Sequence, residues 1–189
     1  MLPRLALMAS GNGTIVQAIF DAITSQVLKA EIVGLICDQP GAKVLTRAQD
    51  FGVKSFITPM QLDRSAWDKS IIQTLDSLQP DLVASAGFMR ILSKDCVERF
   101  RIVNSHPALL PLFPGAHAVA EAIAAGATQT GSTIHWVDSG IDTGEIISQE
   151  AVAIFPEDTV ETLHERIKMV ERKLYVATLQ TLLSKSVRS

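Results

Sequence analysis

Cysteine is close to absent from this 189-residue chain. Only Cys37 and Cys96 occur, with no CxxC pair and no Cys/His cluster at zinc spacing. Neither a disulfide scaffold nor a structural zinc site is expected, and both thiols read as reduced and buried. Positive charge is also in short supply: 17 Lys and Arg stand against 20 Asp and Glu, a formal net charge of -3. Nucleic acid and anionic membranes both need a concentrated positive field, so neither is expected as a partner. Long apolar runs are lacking too. No stretch approaches the ~20 apolar residues of a membrane helix. The run over 5–9 stops at Ser10-Gly11-Asn12-Gly13, too short for the apolar centre of a signal peptide. A cytoplasmic location is expected. What remains is a globular composition, 47% hydrophobic and 20% charged. A domain of this length removes roughly 70% of its unfolded surface from water.

The apolar pattern alternates between short runs and helical periodicity. Residues 5–9, 32–37, 53–57, 82–86 and 102–103 read as strands. Between them, Ile15, Ala18, Ile19 and Ala22 recur at helical spacing. A helix over 42–51 is expected to end at Gly52 in a left-handed conformation, and Trp67, Ile71, Leu75 and Leu78 form one face of another, closed by Pro80. This alternation predicts an α/β fold with a doubly wound, mainly parallel sheet. After Pro114 the pattern changes: a helix over 118–125, then strands over 133–137 and 146–153 joined by so short a turn that they should pair antiparallel. Val160, Leu163, Ile167, Val170 and Leu174 mark a long C-terminal amphipathic helix, with Asp158 and Glu161 placed as a capping box.

Three segments carry candidate chemistry. Gly11, Asn12, Gly13 and Thr14 lie between the first strand and first helix, where free N–H groups attract anions such as phosphate. Two other readings stay open: a dinucleotide fingerprint with Asp38 on the ribose, although Val16 occupies its third glycine position, and a glycine-rich turn without ligand. Asn104-Ser105-His106 follows a buried strand, so it falls at the strand's carboxyl end, where open α/β sheets bind ligands. Positions 104 and 106 share parity, so extended backbone turns a neutral N–H donor and a titratable imidazole to one side. Pro107, Pro111 and Pro114 stiffen the loop beyond. Asp138-Ser139-Gly140-Ile141-Asp142-Thr143-Gly144 is compatible with a hairpin turn, and lacks the oxygen ligands of a calcium loop. His117 and His135 read as structural histidines. No metal site is expected.

Taken together, SGNGT near the start, AGFMRIL over 86–92, NSHPALLPLFPGAHAV over 104–119 and GSTIHWVDSGIDTG over 131–144 resemble the folate-dependent phosphoribosylglycinamide formyltransferase family. The resemblance covers nearly the whole chain and implies one Rossmann-like formyltransferase domain over 1–189. It implies transfer of a formyl group from 10-formyltetrahydrofolate, as co-substrate, to the amine of glycinamide ribonucleotide in purine biosynthesis. Asn104, His106 and Asp142 match the catalytic positions. Gly11, Asn12, Gly13, Thr14, Ile15 and Glu171 match the ribonucleotide site, and Arg64, Met89, Arg90, Ile91, Leu92 and Asn104 the folate site. The partners implied are small molecules, with a monomer or homodimer as assembly. Ile15 stands where relatives commonly carry Asn, and Ser105 where an apolar residue is usual. The alternatives are a formyltetrahydrofolate hydrolase, which commonly carries an extra N-terminal module, and a non-catalytic nucleotide-binding module resting on the Gly11–Gly13 turn.

Overall fold

The computed structural model describes residues 1–186. A seven-stranded sheet runs in the order β3-β2-β1-β4-β5-β6-β7, with β1 at Arg4–Ala9, β2 at Glu31–Cys37, β3 at Ser55–Ile57, β4 at Leu82–Ser85, β5 at Ile102–His106, β6 at Gln129–Trp136 and β7 at Ile146–Ala153. The first five are parallel, and β6 and β7 join antiparallel. The helices are α1 (Thr14–Thr24), α2 (Lys43–Phe51), α3 (Arg64–Leu78), α4 (Lys94–Arg99), α5 (Ala118–Ala124) and α6 (Val160–Ser186).

Alternation along β1 explains the two-sided core. Leu5, Leu7 and Ala9 pack with Val16, Ile19 and Phe20 of α1 and Tyr175 and Leu179 of α6. Ala6 and Met8 face the other way, onto Trp67, Ile71 and Leu75 of α3. A strand buried on both faces reads as an unbroken apolar run. Each Leu or Met among them, once fully buried, contributes roughly 1.5–3 kcal/mol. Strand order reverses at β1, with β2 and β3 on one flank and β4 and β5 on the other. The crevice between the carboxyl ends of β1 and β4 is therefore the place such sheets offer a ligand.

Several expectations need adjusting. β5 does not stop at Val103 but continues through His106, so Asn104 and His106 lie within a strand rather than after it. β6 begins at Gln129, four residues earlier than the apolar run, because Thr130, Ser132 and Thr133 are polar yet buried. α4 was not foreseen; it is short and buries only Cys96. Helix α6 is capped by Thr159, not by an Asp158/Glu161 box. Thr162 N–H donates to Thr159 Oγ1 (3.2 Å) and Thr159 N–H donates back to Thr162 Oγ1 (2.9 Å), the reciprocal pattern of a capping box. Asp158 instead holds Arg166 through both carboxylate oxygens. Gly52 does end α2 at φ 79°.

Candidate active site

Three carboxyl-terminal strand ends and one loop assemble the site. On β5, Asn104 and His106 point to the same face, and the antiparallel partner β6 sets His135 opposite Asn104 and Thr133 opposite His106. His135 therefore joins the same face. It was read from sequence as a structural histidine, and only the cross-strand register could have revealed its position.

Asp142 comes from the loop between β6 and β7. Its backbone sits at φ 54°, in the left-handed region that Asp visits more readily than most residues. The neighbouring Gly144 approaches so closely that a Cβ there would collide with the Trp136 carbonyl. These constraints aim the carboxylate inward. Asp142 Oδ2 lies 3.2 Å from His106 Nδ1 and accepts a hydrogen bond from Gly115 N–H at 2.8 Å. Its Oδ1 lies 3.5 Å from His135 Nε2. On the far side of the ring, His106 Nε2 meets the Phe113 carbonyl at 2.7 Å.

Both ring nitrogens of His106 thus face acceptors, which an imidazole satisfies fully only when doubly protonated. Burial opposes that charge. The hydrogen bonds to Asp142 and to the Phe113 carbonyl outweigh it, and the His106 pKa rises above its ordinary value. Asp142 shows the mirror effect: burial pushes its carboxyl up, but His106, His135 and Gly115 N–H carry it far below the usual carboxylate range. The pair thus favours the imidazolium–carboxylate form over two neutral partners.

The proline-rich loop is pinned to the sheet edge. Thr133 Oγ1 donates to the Ala108 carbonyl and accepts from Leu110 N–H, while Gln149 Nε2 donates to the Leu110 carbonyl. A small cavity of about 260 Å³, lined in part by Pro111, Pro114, Ile141 and Asp142, opens beside this loop. A larger groove of about 970 Å³ lies elsewhere, between α1 and α6; of the foreseen site residues it touches only Thr14.

At the end of β1, the turn has the carbonyls of Gly11, Asn12 and Gly13 occupied. Val44 N–H donates to the Gly11 carbonyl and Arg47 Nε to that of Asn12. The N–H groups of the first turn of α1 have no helical acceptor, as at any helix start. Gly13 takes φ 67°, and a Cβ there would collide with Val44, so the turn needs glycine twice over. Ile15 is buried in the core, which leaves only its backbone to face a ligand.

The segment after β4 is held by three side chains. Met89 N–H donates to Ser10 Oγ (2.8 Å), Arg90 Nε donates to the buried Asp38 (2.6 Å), and Arg64 Nη2 donates to the Ile91 carbonyl. Met89 and Ile91 are exposed, while Leu92 is buried. Asp38 is thereby buried, with one oxygen committed to Arg90, which weighs against the dinucleotide reading in which it would hold a ribose. Burial raises its pKa, but hydrogen bonds from Ser10 and Arg90 leave it lowered.

Glu171, on α6, is buried. Burial pushes its carboxyl up, against the pull of the Ser105 hydroxyl, Lys168, Arg172 and His106. Ser105 alternates to the opposite face from Asn104, so its hydroxyl serves Glu171 where an apolar side chain could not. Among the described residues, no group of three or more His, Cys, Asp or Glu is arranged to hold a metal ion, and no helix is long and apolar enough to cross a membrane.

The formyl transferase family profile matches residues 3–179. In sequence the chain is similar to the phosphoribosylglycinamide formyltransferase of Mycobacterium tuberculosis, 42% identical over 188 residues that cover 97% of this chain and 86% of the relative. It is similar also to that of Bacillus subtilis, 39% identical and covering 96% of this chain and 95% of the relative. The solved phosphoribosylglycinamide formyltransferase of Bacillus halodurans superposes with a TM-score of 0.92 at 44% identity, over 97% of this chain and 96% of that one.

Proposed function

This chain belongs to the formyl transferase family, and from that premise we propose how its residues move the formyl group. The enzyme formylates the amine of glycinamide ribonucleotide in purine biosynthesis, drawing on a folate-derived donor. The donor we assign is 10-formyltetrahydrofolate, used as a co-substrate.

The observation that carries the mechanism is the His106–Asp142 pair at 3.2 Å, on the same strand face as Asn104. The deprotonated amine attacks the formyl carbon, and the carbonyl oxygen gains negative charge in a tetrahedral centre. Asn104 donates an N–H to that oxygen; losing one such donor typically costs on the order of 100- to 1000-fold in rate. His106, held as imidazolium by Asp142, stabilises the same charge and, once its Nε2–H turns from the Phe113 carbonyl to the substrate, helps relay a proton from the attacking amine to the departing folate nitrogen. Collapse of the centre breaks the bond to folate and leaves the formyl group on the amine. The chemistry needs no metal, because the oxyanion is met by an N–H donor and a cation.

The unpaired N–H groups over Gly11–Ile15 suit the ribonucleotide phosphate. Glu171 suits a hydroxyl or amine of the same substrate. The exposed apolar side chains of Met89 and Ile91 offer a face to a flat ring, with Arg64, Arg90 and Leu92 holding that segment in place. We read 1–189 as a single cytoplasmic formyltransferase domain, working on small molecules as a monomer or homodimer.

The test is an assay of purified protein with glycinamide ribonucleotide and 10-formyltetrahydrofolate in chelator-treated buffer. Formylated ribonucleotide should accumulate only with both substrates. Formate release at an equal rate without the ribonucleotide establishes a hydrolase instead.

A further inference from the structure

We propose that Ser85 is a positioning residue for formyl transfer, orienting the Asn104 amide so that its nitrogen, not its oxygen, meets the developing oxyanion. The inference rests on the role assigned to Asn104 above.

An Asn side chain has two ends of opposite character. With Nδ2 toward the reacting oxygen it donates, and with Oδ1 there it sets one oxygen lone pair against another. Turning the amide over would therefore convert a stabilising group into a repulsive one. Something must choose between the two orientations before substrate arrives, since preorganised donors cost no reorganisation during the reaction.

Ser85 makes that choice. It is the last residue of β4 and lies in register with Asn104 across the parallel β4–β5 pairing. Its hydroxyl donates to Asn104 Oδ1 at 2.9 Å. Among the described residues no other group hydrogen-bonds the Asn104 side chain, so Nδ2 is left unpaired. Ser85 is only 6% exposed. With the amide reversed, its hydroxyl proton would lose its acceptor in a buried setting, an arrangement that folded proteins avoid.

The backbones of both partners are fixed as well. The buried phenol of Tyr175, reaching from α6, donates to the carbonyl of Ser85 at 3.0 Å and to that of Val103, the residue before Asn104, at 3.1 Å. One side chain thereby locks the spacing across which the serine hydroxyl and the amide meet.

The experiment is a double-mutant cycle on the full chain, with kcat, both KM values and the urea midpoint measured for Ser85→Ala, Asn104→Ala and the pair. A neutral hydrogen bond contributes about 1 kcal/mol net, so Ser85→Ala should lower kcat by about fivefold to tenfold. Both KM values should stay close to the parent, and the urea midpoint should fall by no more than the loss of that one hydrogen bond accounts for. Ser85→Thr, which keeps the hydroxyl on a side chain suited to a strand, should recover most of the rate. In the Asn104→Ala background, Ser85→Ala should cost nothing further, because there is no amide left to orient. An equal loss in both backgrounds makes Ser85 merely structural and overturns the proposal. So does an unchanged kcat in Ser85→Ala when Asn104→Ala is impaired. Full activity in Asn104→Ala removes the mechanistic reading itself, and the role of Ser85 with it.

Discussion

Asp142 Oδ2 receives Gly115 N–H at 2.8 Å while lying 3.2 Å from His106 Nδ1. One carboxylate oxygen thus serves both the proline-rich loop and the His106 ring. The position of the loop and the protonation of the histidine are consequently not independent properties of this site.

The first prediction concerns pH. Folding raises the His106 pKa above its ordinary value of 6.5. The stability gained from the pair is therefore complete below about 6.5 and fades as pH climbs through the raised folded value. Activity that needs imidazolium should fall on the same alkaline limb. Asp142→Asn removes the charge that sustains it, so the limb should move to lower pH and kcat near neutrality should drop by ~100-fold or more. Both KM values should move much less. A kcat–pH profile that overlays the parent from pH 6 to 8 would reduce Asp142 to a turn residue.

Glu171 provides a contrast, because its burial works against its charge. A carboxyl whose pKa is raised on folding is costly to ionise, so the native state loses stability as pH rises past the unfolded value. Glu171→Gln should leave the melting temperature at neutral pH equal or higher. Its KM for the ribonucleotide should rise, while that for the folate holds. A lower melting temperature with an unchanged ribonucleotide KM would place Glu171 in the scaffold and not in the substrate site.

Much of this architecture was legible in the chain because buried parallel strands leave a simple mark. The run that became β1 faces helices on both sides and is apolar throughout. Only the start of β6 left no such mark: Thr130 and Ser132 are buried there with Thr133, and Thr133 is polar because it holds the loop over 108–110. Asn104, His106 and Asp142 could be singled out as residues of suitable chemistry. The groups that orient them could not, since Ser85, Gly115 and Tyr175 act across 19 to 90 positions of sequence and His135 is brought in by strand register. The same holds for Asp38, whose partner Arg90 lies 52 residues on. Such pairings follow from strand order, which short-range pattern does not contain.

That buried ion pair yields a third prediction. Asp38 carries no exposed side-chain surface, and Arg90 ties the segment at Met89–Leu92 to the end of β2 through it. Asp38→Asn keeps the shape but leaves a guanidinium partly buried without its counter-charge, which is strongly destabilising for such pairs. The KM for the folate should rise several-fold, with the ribonucleotide KM nearly constant. Should the ribonucleotide KM rise instead, the segment after β4 serves the other substrate.

Tyr175→Phe is the last test, and it separates scaffold from chemistry. The ring is fully buried and its hydroxyl reaches two carbonyls, those of Ser85 and Val103. Phe preserves the packing and deletes only the donor, so the two carbonyls lose the single proton they share, which water cannot easily replace. Leaving buried acceptors unsatisfied costs about 1–3 kcal/mol, which urea titration should register as a lower midpoint at constant slope. A loosened junction between β4 and β5 should also let the Ser85 hydroxyl drift from the Asn104 amide. The variant is therefore expected to lose kcat by a few-fold with both KM values intact. Full stability in Tyr175→Phe would mean that other groups satisfy the two carbonyls. Lost stability with an unchanged kcat would mean that the Ser85–Asn104 contact survives without the phenol.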